Sequence, residues 1–327
     1  MHKLLLSGFL LACCSFAANA TTHNLDAIII GDSLSDVGNN YWVETDGRLG
    51  SPITNWPIPE QGTGEPSTGL MWADRLGYFL SQDRGKAITF EQLENNENGN
   101  VLVAAYASAE SGRGFVNDIS DASAQLCTDA GLFDNYSCVP GGITQIDMVP
   151  FEQIADVASL KVFIFIGGND LFNNLDIQVQ PRQAVQAVID HTMVMIWKLL
   201  NEKQVIEDNI YIIGLPNLAL TPEVETLPQF IKDYAQELSY AYQLELRHAL
   251  QRLGYDDKVK HIDILSWHRS QIDAPQWIED PLAHTCVQDS HLEDCRTKDG
   301  DYFFFDNKHL TTQGQKAFWN NIKSVVY

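Results

Sequence analysis

The stretch Asp26-Ala27-Ile28-Ile29-Ile30-Gly31-Asp32-Ser33-Leu34-Ser35-Asp36-Val37-Gly38-Asn39-Asn40 joins a short β-branched run to a polar turn. Residues 26–30 read as a buried strand and Gly31 as the start of a tight turn, which puts Ser33 at the strand's carboxyl end. The same pattern recurs along the chain. Val101-Leu102-Val103-Ala104-Ala105-Tyr106 is a second expected strand. Lys161-Val162-Phe163-Ile164-Phe165-Ile166 is a third, closed by Gly167-Gly168. Residues 210–213 form a fourth, and 259–265 contain a fifth around His261-Ile262-Asp263-Ile264-Leu265. A helix is expected after Pro181, because Val185, Val188, Ile189, Met193, Ile196 and Leu200 make one apolar stripe. Further helices are expected over 229–252 and from Thr312 to Val325. Strands alternating with helices imply a three-layer α/β/α fold around a mostly parallel sheet of five strands. Residues 40–75 show no period and read as a long surface loop, and 115–145 as an insertion loop.

The chain has 327 residues, enough for one large α/β domain, and no repeat, linker or low-complexity tract divides it. Residues 21–327 are therefore expected to form a single domain. Twenty-one basic residues stand against 43 acidic ones, a net charge of −22. Such a field repels polyanions, which excludes nucleic acid as a partner and favours a neutral or zwitterionic substrate. Residues 1–20 read as an export signal: a basic start at Met1-His2-Lys3, an apolar run from Leu4 to Ala12, and a small-x-small site at Ala18-Asn19-Ala20. The run is too short to span a bilayer comfortably. Leu10-Leu11-Ala12-Cys13 also has the form of a lipobox, so a lipoprotein anchored at Cys13 is the alternative to a secreted or periplasmic chain. Four cysteines remain beyond Ala20: Cys127, Cys138, Cys286 and Cys295. An even number in an exported chain implies disulfides, and four allow three pairings. Cys127–Cys138 and Cys286–Cys295 are the expected pairs, since each brackets a polar, loop-like stretch. No C-x-x-C spacing suggests a metal.

A serine hydroxyl is a weak nucleophile without an adjacent base, an acid to orient that base, and donors for the oxyanion. The far end of the chain supplies the first two. Tyr302-Phe303-Phe304-Phe305 leads into Asp306-Asn307-Lys308-His309, then Leu310-Thr311-Thr312. Asp306 and His309, three apart, fit on one turn with the carboxylate on one imidazole nitrogen and the other free to take the Ser33 proton. Thr311 or Thr312 is placed to cap the last helix. Gly167-Gly168-Asn169-Asp170 follows the third strand, where the Asn169 amide can donate to an oxyanion formed at the end of the first.

This set resembles the GDSL, or SGNH, hydrolase superfamily. Gly31-Asp32-Ser33-Leu34 matches its first block, Gly167-Gly168-Asn169-Asp170 its G-x-N-D block, and Asp306-Asn307-Lys308-His309 its D-x-x-H block. The resemblance implies a flavodoxin-like sheet and acyl transfer by Ser33, His309 and Asp306. It also implies an oxyanion hole built from the Ser33 N–H, a second-block N–H and Asn169, with no metal or organic cofactor. The second block departs from the family's N-Y-A-x-G-G-A: this chain has Tyr106-Ala107-Ser108-Ala109-Glu110-Ser111-Gly112. Aligned on Ala109, Ser108 stands in the glycine's place; a shifted register would put Glu110 there.

The Asp36-Val37-Gly38-Asn39-Asn40 continuation, the Phe-rich lead to Asp306 and the nearby cysteine pair resemble the bacterial secreted lipolytic branch: lysophospholipase A, phospholipase A and thermolabile hemolysin, some with glycerophospholipid–cholesterol acyltransferase activity. That likeness implies a lipid ester substrate and transient contact with a membrane surface. Two other expectations compete: a short-chain or carbohydrate acetylesterase, and a non-catalytic binding module on the same fold.

Overall fold

β1 (Ala27–Gly31) runs through the middle of a parallel sheet in the computed structural model, which describes residues 24–39, 67–84, 90–92, 99–106, 109–113, 140–175, 179–290, 294–295 and 299–326. The expected export signal with Cys13, the second-block Ser108, and Cys127 and Cys138 all lie outside the described residues. The other strands are β2 (Phe90–Gln92), β3 (Val101–Val103), β4 (Lys161–Phe165), β5 (Ile210–Ile213) and β6 (Lys260–Ile262). Their order is β2-β3-β1-β4-β5-β6, and every pairing is parallel. All five expected strands are present. β2 adds a sixth at the edge, a three-residue strand whose Phe-Glu-Gln sequence carries no period to read.

The helices used below are α1 (Trp72–Arg84), α2 (Gly142–Met148), α3 (Gly168–Asn173), α4 (Gln186–Asn201), α5 (Gln229–Leu253), α6 (Leu265–Ile272) and α7 (Thr312–Val326). A parallel sheet covered on both faces buries nearly all of its strand residues, Lys161, Lys260 and His261 at the strand starts being partly exposed, and alternate side chains feed two cores. Ile28, Ile30, Val162, Ile164 and Ile212 point to one core, closed by α2, α4 and α5. Ala27, Ile29, Phe163, Phe165 and Ile213 point to the other, closed by α1 and α7. Each buried Ile, Val or Phe side chain contributes about 1.5–3 kcal/mol on burial, which makes the sheet a rigid base for the loops above it.

Several expected boundaries move. The loop expected over 40–75 is cut short by α1, whose Trp72, Leu76 and Leu80 pack inward at helical spacing. Asp74 starts that helix by accepting from the Met71 N–H at 2.7 Å, the acidic half of a capping box. The insertion expected over 115–145 ends in α2, which begins at Gly142. The strand expected over 101–106 stops at Val103, and the one over 259–265 ends at Ile262, with α6 starting at Leu265.

Strand order reverses beside β1: after β1 the chain forms β2 at the edge and returns to β3 beside β1, then crosses to β4 on the other side. Leaving aside β2, this is the flavodoxin-like order, whose ligand crevice opens at the carboxyl ends of the two strands flanking the switch. Ser33 follows β1 and Asn169 follows β4, so the fold puts both at that crevice.

Candidate active site

The turn after β1 is held from several sides. A side chain at Gly31 would bring its Cβ to 2.9 Å from Ser35 and 3.1 Å from the Phe165 carbonyl oxygen, so only glycine lets the backbone pass. Gln145 of α2 accepts from the Gly31 N–H at 3.0 Å and donates to the Gly31 and Pro140 carbonyls at 2.8 and 3.0 Å. Asp32 accepts from the Leu34 N–H at 3.0 Å, and Trp72 donates its indole N–H to Ser35 at 3.1 Å. Farther along, Asp36 accepts from the N–H groups of Gly38 and Asn39 at 2.9 and 2.7 Å. Asn39 in turn donates to the carbonyls of Val103 and Ala105 at 2.8 and 3.0 Å. The polar continuation of the motif is thus a scaffold that ties the Ser33 turn to β3.

Phe303, Phe304 and Phe305 are buried and anchor the opposite loop. The Phe305 N–H donates to the His309 carbonyl at 2.7 Å, closing a tight loop that presents Asp306 and His309. Asp306 accepts from the N–H groups of Lys308 and His309, both at 2.8 Å, and from His309 Nδ1 at 2.7 Å. The other imidazole nitrogen, Nε2, lies 2.9 Å from Ser33 Oγ, across 276 residues of sequence. Burial alone would raise the Asp306 pKa; the neighbouring His309 and the hydrogen bonds from His309 and Lys308 outweigh it and hold the carboxyl below its ordinary value. An ionised Asp306 keeps the imidazole proton on Nδ1 and leaves Nε2 as an acceptor for the Ser33 hydroxyl. Of the two expected caps, Thr311 is the one used: its hydroxyl accepts from the Gly314 N–H at 3.1 Å.

Cys286 and Cys295 are joined by a disulfide with Cα atoms 5.5 Å apart. The bond packs against Phe305, next to Asp306. Beside it, the N–H groups of Cys286 and Val287 donate to the carbonyls of Phe304 and Phe305 at 3.1 and 3.0 Å. Lys308 reaches away from the loop, with its ammonium 4.5 Å from the Phe172 ring centre on α3 and 2.9 Å from Glu223. A small pocket lies against the Ser33 turn, lined by Leu34, Trp267, Phe304 and Phe318 together with His268 and Lys308.

Gly167 makes the turn into α3 with φ +120°, a conformation for glycine. Asn169 donates one amide hydrogen to the Ala109 carbonyl at 2.9 Å, and an amide has a second to offer. Within the second block, the Ala109 N–H donates to the Tyr106 carbonyl at 3.2 Å and the Ser111 N–H to Asp170 at 2.8 Å, so neither of these is the spare main-chain donor. The Glu110 side chain accepts from Asn173 at 2.7 Å.

Two carboxyls that sequence reasoning left without a role sit close by. Burial pushes Asp32 up to about 7, against the Leu34 N–H and the His309 charge, and pushes Asp170 up to about 6, against the two hydrogen bonds from Ser111. Gln145 was passed over as well. Its partner Gly31 is 114 residues away, and nothing local marks a glutamine as a clamp.

A GDSL esterase/lipase of Arabidopsis thaliana is 25% identical over 195 residues, covering 59% of this chain and 50% of the relative, so the match spans about half that relative's length. Two solved structures each cover 92% of this chain and 99% of their own, at 11% identity: an acetyl xylan esterase, AlAXEase, with a TM-score of 0.41, and an extracellular lipase from Streptomyces rimosus, with a TM-score of 0.40. The model of the GDSL-like Lipase/Acylhydrolase family matches residues 28–322, from within β1 to within α7. The chain belongs to the GDSL-like lipase/acylhydrolase family.

Proposed function

We propose that this chain is a secreted serine esterase that cleaves carboxylic esters of lipids, with a lysophospholipid or phospholipid as substrate. The observation that carries this is the unbroken chain Ser33–His309–Asp306, at 2.9 and 2.7 Å, at the sheet's switch point beside Asn169. In this reading Ser33 Oγ attacks the ester carbonyl while His309 Nε2 takes its proton. Asp306 holds the imidazole and stabilises the imidazolium. The oxyanion is met by the Ser33 N–H, the Asn169 amide and a second-block N–H, assigned to Ser108. His309 then returns the proton to the departing alcohol, leaving Ser33 acylated. Water, activated by His309, releases the fatty acid and restores Ser33. An alcohol in the water's place would accept the acyl group instead, which is the acyltransferase reaction.

A lipid substrate is supported by the resemblance of the first-block continuation and the Phe-rich lead to the lipolytic branch. Export is supported by the signal-like residues 1–20 and by the Cys286–Cys295 bond, since disulfides persist in oxidising compartments. The test is hydrolysis of p-nitrophenyl esters of increasing chain length beside lysophosphatidylcholine. The expected outcome is turnover that rises with chain length, with fatty acid released from lysophosphatidylcholine. A sharp preference for acetate would replace this reading with an acetylesterase, and no turnover of any ester with a binding module.

A further inference from the structure

The third and second blocks meet in a hydrogen-bonded chain, buried at Ser111 and Asp170 and half-buried at His191, that the proposed reaction does not use. Ser111 is wholly buried and Asp170 nearly so. Ser111 Oγ lies 2.6 Å from one oxygen of Asp170, and the Ser111 N–H donates to the other at 2.8 Å. The same Oγ lies 2.9 Å from Nδ1 of His191, which comes from α4. The imidazole fits closely: a Cβ on Gly112 would come to 2.8 Å from His191 Cε1. The loop that carries Ser111 is pinned to α2, since the N–H groups of Gly142 and Ile143 donate to the carbonyls of Glu110 and Gly112 at 2.9 and 3.0 Å.

Three residue types of a nucleophilic triad are present here, but in the wrong order for one. A hydroxyl has one hydrogen. With Asp170 ionised, Ser111 gives that hydrogen to the carboxylate and takes one from His191 Nδ1, so the serine sits between base and acid with its proton engaged. It is also closed to substrate. What this chain does hold is the backbone on both sides of Asn169. Asp170 is the next residue, and Ala109, two residues before Ser111, receives the Asn169 amide at 2.9 Å.

We propose that His191 is a positioning residue for the oxyanion site, acting through Ser111 and Asp170 to fix the direction of the Asn169 amide. The proposal rests on the reading of Asn169 as an oxyanion donor. An amide that donates one hydrogen to Ala109 aims its second only as well as Ala109 and its own backbone are held. His191 supplies the hydrogen bond that completes the hold on Ser111, and therefore sets the register between the second and third blocks. Its effect belongs in kcat, because a misdirected donor weakens the response to developing charge and leaves ground-state binding alone.

The test uses His191→Phe, which keeps a ring against Gly112 and removes the donor, and His191→Asn, whose amide nitrogen stands near the place of Nδ1. On p-nitrophenyl butyrate, His191→Phe should lower kcat about tenfold with KM changed less than about twofold, below the roughly hundredfold that a 1 Å misplacement can cost. His191→Asn should restore most of the loss. In an Asn169→Ala background, His191→Phe should cost less than about twofold, since the two changes disable the same donor. A folded His191→Phe with full kcat, or a loss that persists undiminished beside Asn169→Ala, overturns the proposal. If Asn169→Ala alone leaves kcat unchanged, it is the oxyanion role of Asn169 that falls, and this proposal with it. Should His191→Phe fail to fold, Ser111→Ala takes its place and is read in the same way.

Discussion

Single residues define this site more sharply than any element does. The meeting of Ser33, Asp306 and His309, which the structure shows, was legible in the sequence, because few residue types suit the proposed roles of nucleophile, base and orienter and they stand at fixed offsets from glycine and from one another. The supporting polar residues were not. Gln145 and His191 find their partners Gly31 and Ser111 through the fold, 114 and 80 residues away, and carry no local mark; Asp32 accepts from Leu34 two residues on, and only its burial by the fold sets it apart. Two predictions belong here. Asn169→Ala should lower kcat by about two to three powers of ten with a smaller change in KM, measured on a p-nitrophenyl ester, if Asn169 is the proposed oxyanion donor, which acts on charge that develops in the transition state. Asp32→Asn should change how stability depends on pH. Folded Asp32 titrates at about 7 rather than at its ordinary 3.8, so the folded chain holds that proton more tightly. Its contribution is therefore fully present below the ordinary value and is lost as pH rises through about 7. Asparagine removes this loss while still accepting from Leu34. The stability of Asp32→Asn relative to the parent should rise between pH 4 and pH 7 by more than about 1 kcal/mol and level off above, in urea unfolding at several pH values. A flat difference would show that Asp32 titrates normally.

At the scale of elements, periodicity was a good guide where it was long and a poor one where it was short. α5 spans Gln229–Leu253 and α7 Thr312–Val326, within a residue of the expected ends, because each carries an apolar stripe over several turns. α1 was lost inside a loop, since its Trp72–Leu76–Leu80 stripe starts within a stretch rich in glycine, proline and threonine. Two elements matter for the site beyond their own packing. α2 clamps the end of β1 through Gln145. Gln145→Leu should lower unfolding free energy by about 2–4 kcal/mol, because it leaves a buried N–H and carbonyl of Gly31 unpaired; a cost under about 0.5 kcal/mol would mean that water or another group replaces the amide. The Cys286–Cys295 loop braces Phe305. The double variant Cys286→Ser/Cys295→Ser should lose about 2–3 kcal/mol by the loop-entropy account. It should also lose kcat, since the bond packs beside the segment carrying Asp306. Full kcat in the folded double variant would show that the bond protects the loop without positioning it. Cys127→Ser/Cys138→Ser, measured alongside, serves as the contrast.

Over the whole molecule, the sheet brings the two ends of the chain together. Ser33 follows the first strand and His309 precedes the last helix, yet β1 at the centre and α7 packed on one face leave Ser33 Oγ and His309 Nε2 2.9 Å apart. The order of strands, with its reversal beside β1, was legible only as a class: alternation predicts parallel layers, but which strand neighbours which is decided by packing that no single segment records. The strong negative charge bears on partners and leaves the fold untouched. The central claim is that these distant loops form one nucleophilic unit at Ser33. The most direct measurement is the rate and position of covalent labelling by a fluorophosphonate, read by intact mass and peptide mapping in the parent and in His309→Ala. The account predicts one adduct, on the peptide carrying Ser33, formed at least about a hundredfold more slowly without the imidazole base. An adduct on any other residue, or labelling of Ser33 at an unchanged rate in folded His309→Ala, would contradict it.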